Sequence, residues 1–435
     1  MTLSRIFTGL LSCYFLIGMH VLLPTPGGAG LYLSYNTIGW LITSILISLG
    51  LWQIAQRKRI TLDRFLPVMF IALVLFIIPL FYSGEHTHNA IPRLLAIFGG
   101  ILFWLALNQF KNDEKSYAYL LTLIVAAAVI ETFIGLAQFA FFEQGSWLGY
   151  DPSRHRPHGA LIQPNVAATL ITTGVLLSCY LLVRAESTSK HSFLLWGCLI
   201  FCPIVLVLLQ SRVGFLSGLV GLLIILPYLF YSHRKRASLI LVLITCSIAV
   251  GTAVLQNSEV PKRDHIDYSD GGERKDIYIV SLKMIADKPL TGFGYGNFQR
   301  AYLDYHNMLK REDPSIANPL LRLGHPHNEI LYWGIEGGVV PIIAFVIIAV
   351  AFIKLLMKVP DWRLRLALVS VILPVTLHSQ TSLPFYMSLS HWLILLLLVW
   401  YIKQNAPQTN YTVSFPANFL MKSLAVINVG IFVPF

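Results

Sequence analysis

The sequence predicts an all-α, polytopic integral membrane protein with about twelve transmembrane helices and one large, partly helical loop. Three observations lead there. Apolar runs of the ~20 residues needed to cross a bilayer recur along nearly the whole chain. Charged residues make up 12% of it, about half the ~25% of a soluble domain. Basic residues collect in alternate short loops, as they do when span ends face the cytoplasm by turns. A membrane barrel would instead alternate apolar and polar residues with period two.

The spans fall near 6–23, 35–54, 66–82, 92–109, 117–140, 165–183, 193–209, 212–231, 238–255, 328–353, 366–383 and 388–402, with 414–433 a candidate thirteenth. The first follows Arg5 without a small-residue cleavage site, so it reads as a retained span rather than a removed signal. Arg57, Lys58, Arg59 and Arg64 follow the second span, Lys111 and Lys115 the fourth, Arg184 and Lys190 the sixth. Arg234, Lys235 and Arg236 follow the eighth, Lys354, Lys358, Arg363 and Arg365 the tenth, and Lys403 the twelfth. The intervening short loops hold only Arg93, Arg154, Arg156 and Arg212. That asymmetry sets the N-terminus in the cytoplasm. It also makes the net charge of +11 mostly a topology signal, so no nucleic-acid partner is expected. Three regions result: N-terminal membrane helices over 1–255, a loop over 256–326 on the outer face, and C-terminal membrane helices over 327–435.

The five cysteines, Cys13, Cys179, Cys198, Cys202 and Cys246, all lie in apolar spans and form neither a disulfide framework nor a metal-ligand set. Cys198 and Cys202, one helical turn apart, read as small core residues.

Polar groups gather on the outer side in three places. One is the 141–165 loop, with Arg154, His155, Arg156, His158, Gln163 and Asn165. Another is the short turn Gln210-Ser211-Arg212 between two apolar spans. The third is the long loop, whose ten basic and ten acidic residues cancel and so carry no net attraction for a polyanion. A lone arginine at a span end either snorkels to headgroups or offers its rigid fork to phosphate oxygens. Both readings are open for Arg212. In the long loop, Ile277, Val280, Met284 and Ile285 recur at helical spacing after Gly271-Gly272, which predicts an amphipathic helix on the membrane surface. Pro289 stops it. Gly292-Phe293-Gly294-Tyr295-Gly296 then has no strand-loop-helix context for a nucleotide and reads as a turn open to close approach. For Arg274 and Arg300 the alternatives are anion binding and pairing with loop carboxylates.

The segment Leu323–Pro341 concentrates ionisable groups at a membrane boundary, where they are costly unless used. His325 and His327 are two apart and lack the spacing of a metal set. His327 is open to two readings, a general base near neutral pH or a ring held by backbone. Glu329 and Glu336 are seven apart, hence on one helix face. Gly334, Gly337 and Gly338 suggest close helix packing.

These motifs resemble the O-antigen ligase and O-antigen polymerase superfamily. His327-Asn328, nine residues and then Gly338 is similar to its histidine motif, which normally ends in Gly, Thr or Tyr where this chain has Pro341. Ser211-Arg212 resembles its Ser-Arg pair, and Arg274 with the stretch Pro289 to Phe298 resembles its periplasmic-loop signature. The run Arg156 to Asn165, with Gln163-Pro164-Asn165, and the segment His378 to Trp392 resemble the protein O-oligosaccharyltransferase branch. Such enzymes usually continue further, so this chain, ending at Phe435, is either a short member or truncated.

The resemblance implies transfer of a glycan from undecaprenyl diphosphate, on the periplasmic face of a bacterial inner membrane, to an acceptor hydroxyl. The acceptor would be Ser or Thr of a protein such as pilin, lipid A-core, or a growing glycan. It implies His327 as the catalytic residue and Arg212, Arg274 and Arg300 on the diphosphate. Arg156, Gln163, Asn165 and Asn328 would meet the glycan or acceptor. Arginine charge would stand in for a cation, so neither metal nor cofactor is expected. A transporter or flippase would instead place ionisable residues at mid-membrane and repeat its halves, and the sequence shows neither feature.

Overall fold

The computed structural model describes residues 2–23, 28–110, 113–146, 150–153, 155–184, 192–258, 260, 273–316, 320, 323–407, 410–415 and 418–432. Arg154, the Gly271-Gly272 pair and the end of the 414–433 stretch lie outside them.

The chain is all-α, and among the described residues eight helices are long and apolar enough to cross a membrane. The order runs α1 (Leu3–Leu16), α2 (Ser34–Arg57), α3 (Leu66–Ile77), α4 (Ile91–Asn108), α5 (Glu114–Phe141), α6 (Pro164–Val183), α7 (Ser192–Leu209) and α8 (Arg212–Gln256). After the loop helices α9 (Glu273–Asp287) and α10 (Phe298–Glu312) come α11 (Glu329–Gly337), α12 (Val339–Met357), α13 (Trp362–Ser379), α14 (Pro384–Met387), α15 (Leu389–Gln404) and α16 (Asn418–Phe432). Helix α8 is broken at His233 (φ −162°, ψ 86°). Its two limbs return to one neighbour: Gly214 lies against Leu206, and Gly251 against Ile204 and Val207. They form a hairpin on α7, which accounts for the expected spans 212–231 and 238–255.

At the centre stands α6, buried from Val166 to Val183. Its neighbours can approach because small residues face each other. A side chain on Gly174 would meet Ala128 of α5, and one on Gly214 would meet Ala168. Helix starts are capped by side chains: Asp113 accepts from Ser116 N at 2.9 Å, Gln163 from Val166 N at 2.7 Å and Asn328 from Leu331 N at 2.9 Å. Each satisfies one N–H that the helix itself leaves open. Pro164, without an N–H, takes the first position of α6.

Three features depart from the sequence reading. A two-stranded antiparallel ribbon pairs β1 (Arg59–Leu62) with β2 (Tyr411–Ser414) at the basic end. There Lys403 Nζ sits 2.9 Å from the buried Asp63 carboxylate, which also accepts from Trp104 Nε1 and Asn108 Nδ2. The expected span 328–353 is two helices, α11 and α12, hinged at Gly338 (φ 70°, ψ −151°). The hinge lets Val339 N donate to Pro289 O at 2.7 Å, and the membrane-crossing stretch begins at Val339. Finally, the apolar face of α9 is covered by protein rather than presented to a membrane surface. Ile277, Val280 and Met284 share a small core with Phe298, Tyr302 and Tyr305 of α10 and Ile335 of α11.

Candidate active site

The turn between α7 and α8 is built by its neighbours. Gln210 takes a left-handed conformation (φ 49°), which is strained for a residue with a side chain. Ser211 caps α8 by accepting from Gly214 N at 3.2 Å and donates its own proton to Asn165 Oδ1 at 2.7 Å. Arg156 Nη1 donates to the carbonyls of Leu209 (2.9 Å) and Gln210 (2.8 Å), C-terminal carbonyls of α7 of the kind a helix end leaves without partners. Arg212, half-buried, is the first residue of α8.

A second group forms where α9, α11 and α13 meet. His327 is also left-handed (φ 55°), and its N–H donates to His325 Nδ1 at 3.2 Å. The two rings meet edge to face with centroids 4.4 Å apart. The buried Nδ1 of His327 has no hydrogen-bond partner among the described residues. Beyond capping α11, Asn328 donates through Nδ2 to Gln380 O at 3.1 Å. Tyr278 shares its hydroxyl proton between His327 O (3.1 Å) and Gln380 O (3.0 Å). Burial, then His325, then the Arg274 guanidinium pull the His327 imidazole down to about 4. Burial and Arg274 lower His325 as well. Charge and burial both oppose a ring proton, so His327 is neutral at physiological pH with a lone pair to offer.

Hydrogen bonds bring both groups to the end of α13. Thr169 Oγ1, one turn along α6, donates to Asn165 O at 2.9 Å and lies 2.8 Å from His378 Nδ1. Because the threonine proton is committed, His378 Nδ1 is the donor of that pair. His378 is in the last turn of α13, two residues before Gln380. The line Ser211–Asn165–Thr169–His378 and the group Gln380, Tyr278, Asn328 and His327 meet in the last turn of α13, which carries both His378 and Gln380, and the Arg274 guanidinium is felt by both histidine rings, His325 and His327. Arg212 and His327 sit at or just before a helix N-terminus, where backbone N–H groups favour anions.

Gln163, Asn165, Arg156 and Asn328 all have partners inside the protein, as described above. Arg300 lies on α10, its side chain 75% exposed and its Nε 3.8 Å from the Asp304 carboxylate. The glycine turn also finds its close approach within the chain. Phe293 N and Gly294 N donate to Ile335 O (2.7 Å) and Glu336 O (2.9 Å). A side chain on Gly292 would strike that same backbone at 2.6 Å.

Sequence reasoning assigned no individual role to Arg93, Thr169, Tyr278 and Gln380, although Arg93 stood among the outer-loop arginines and Gln380 within the His378–Trp392 segment. Arg93 enters the protein beside α11, ion-paired with the buried Glu336 and stacked on Tyr295, Tyr332 and Trp333, whose centroids lie 4.5, 4.8 and 4.2 Å away. The signal was present: a solitary arginine at one span end and a glutamate on a helix face at another. Thr169, Tyr278 and Gln380 are ordinary polar residues whose partners lie far along the chain, and no spacing marks them.

Residues 197–346 match the family model described as O-antigen ligase. The chain is 25% identical over 313 residues to the ComP-specific O-oligosaccharyltransferase of Acinetobacter baylyi, covering 68% of this chain and 55% of that protein. It is 25% identical over 276 residues to the general O-oligosaccharyltransferase of the same organism, covering 59% and 47%. The chain thus spans about half the length of the curated relatives it matches.

Proposed function

We propose that this chain, a member of the O-antigen ligase superfamily, moves a glycan from undecaprenyl diphosphate to an acceptor hydroxyl on the periplasmic face of the bacterial inner membrane. The acceptor is Ser or Thr of a secreted protein such as a pilin, a reading supported by the names of the two Acinetobacter relatives. The observation that supports the proposal is that hydrogen bonds from the arginine turn reach His378 and those around His327 reach Gln380, two residues apart in the last turn of α13.

In this reading Arg212 and Arg274, helped by helix N-termini, hold the diphosphate and stabilise the charge that grows on it as it leaves. The acceptor oxygen attacks the anomeric carbon, the bond from that carbon to the phosphate oxygen breaks, and undecaprenyl diphosphate departs. Neutral His327 accepts the hydroxyl proton through a ring nitrogen and later passes it to solvent. The pull of Arg274 on the ring weakens once the diphosphate neutralises it, so donor binding makes His327 a better base when the acceptor arrives. Gln163 and Asn328 line the space beside the reacting groups. The lipid tail lies among the apolar helices.

The test is expression in cells making a defined lipid-linked glycan, with and without a pilin-type acceptor. Glycosylated pilin with unmodified lipid A-core is the expected product. Glycosylated lipid A-core with unmodified pilin would overturn the protein acceptor in favour of ligation to lipopolysaccharide.

A further inference from the structure

We infer that Arg156 and Asn165 are positioning residues that set the conformation of the Arg212 turn, rather than groups that grip the glycan. The inference rests on the proposed role of Arg212 in diphosphate binding. Both hydrogens of Arg156 Nη1 are committed, one to Leu209 O and one to Gln210 O. A cation on the last carbonyls of α7 is the favourable sign at a helix C-terminus. From the other side, Asn165 Oδ1 takes the Ser211 proton, which leaves a serine lone pair for Gly214 N and so fixes where α8 starts. The turn needs both supports because Gln210 is held at φ 49°, a conformation that persists only when its surroundings enforce it.

The arrangement has a chemical purpose. An arginine in the first turn of a helix opposes the helix dipole, so its direction there has to be set by its surroundings. Holding the backbone on both sides of the turn limits the directions from which Arg212 can leave the helix axis. A preformed fork loses less freedom when it meets a dianion than one that must first be ordered.

The experiment uses the full chain, purified in detergent, with undecaprenyl diphosphate as the probe and two readouts. Hydrogen exchange at the Gly214 amide reports the turn itself. Arg156→Ala, Asn165→Ala and Ser211→Ala should each speed it, while Arg212→Ala leaves it unchanged. The dissociation constant for the probe reports Arg212. Arg156→Ala and Asn165→Ala should weaken binding about tenfold, the scale seen when an outer-shell partner is removed. The double variant Arg156→Ala/Arg212→Ala should bind no more weakly than Arg212→Ala alone, since a positioning effect has nothing left to act on. Unchanged exchange in both Arg156→Ala and Asn165→Ala overturns the inference. So do additive losses in the double variant, because Arg156 would then touch the ligand itself. If Arg212→Ala binds the probe like the wild type while Arg156→Ala still speeds exchange, the support of the turn stands and the diphosphate role of Arg212 falls. Should Arg156→Ala fail to fold, Asn165→Ala and Ser211→Ala, which leave every charge in place, carry the same test.

Discussion

His327 combines three features that are individually uncommon: a left-handed backbone, a buried ring nitrogen without a partner among the described residues, and a pKa held down to about 4. Every cause of that low value disfavours the charged ring, so the neutral form predominates above about pH 4. Only the neutral ring can take a proton from the acceptor. The expected kcat/KM profile is therefore level around neutrality and falls as pH drops through the pKa of His327. Arg274→Ala removes one of the depressing charges, which raises that pKa, so the falling limb should move to higher pH. A limb that stays put or moves down would separate Arg274 from His327. His327→Ala should lower transfer ~10²–10⁴-fold, the range for a lost acid–base group, with membrane levels unchanged on an immunoblot. His327, Arg212 and Arg274 could be singled out as candidates in the sequence because charge and imidazole are conspicuous among apolar residues. The partners of Arg156 and Asn165 were not legible, since they lie 53 and 46 positions away and a polar motif does not say whether it faces a ligand or its own backbone.

Helices explain where these residues stand. Asn165, Arg212, Arg274 and Asn328 all sit at the described first turn or cap of a helix, and for the proposed anion binding within a membrane there are few other sources of fixed positive potential. The loop helices are fastened to this face by the glycine turn and the Gly338 hinge. With φ of 70° and a carbonyl of Leu290 at 2.4 Å from any added Cβ, Gly338 tolerates no side chain. Gly338→Ala should free the loop from α11, seen as faster protease cleavage within 290–300 and loss of transfer. An intact loop with full activity would show that the hinge is dispensable. Arg93 and Glu336 fasten α4 to α11 in the same place, and removing one partner of a buried pair costs ~3–5 kcal/mol. Arg93→Ala should accordingly lower the melting temperature in detergent, whereas Arg93→Met with Glu336→Leu should restore much of it. Equal melting temperatures for Arg93→Ala and the wild type would mean the pair contributes nothing. Spans were readable because length and hydropathy suffice for a helix in lipid. The break within 328–353 was not, because a hinge at Gly338 depends on a carbonyl that arrives from Leu290.

Across the whole molecule the two ends differ in kind. One end holds the β1–β2 ribbon and the Asp63–Lys403 pair, and the charge asymmetry of the sequence predicts that its basic loops face the cytoplasm. The other holds the arginine turn, the loop helices and His327. A cysteine placed at Asp313 should therefore react with a membrane-impermeant reagent added to intact spheroplasts, and one at Lys235 should not. The opposite pattern would invert the topology. Central to the account is a division of labour, in which arginines hold a lipid diphosphate and His327 serves the acceptor. The most direct test is single-turnover transfer by the purified chain in nanodiscs, run beside donor binding for the wild type, Arg212→Ala and His327→Ala. His327→Ala should bind the donor as the wild type does and release undecaprenyl diphosphate ~10²–10⁴-fold more slowly, while Arg212→Ala should bind it weakly. Wild-type turnover by His327→Ala, or a loss of donor binding equal to that of Arg212→Ala, would contradict it.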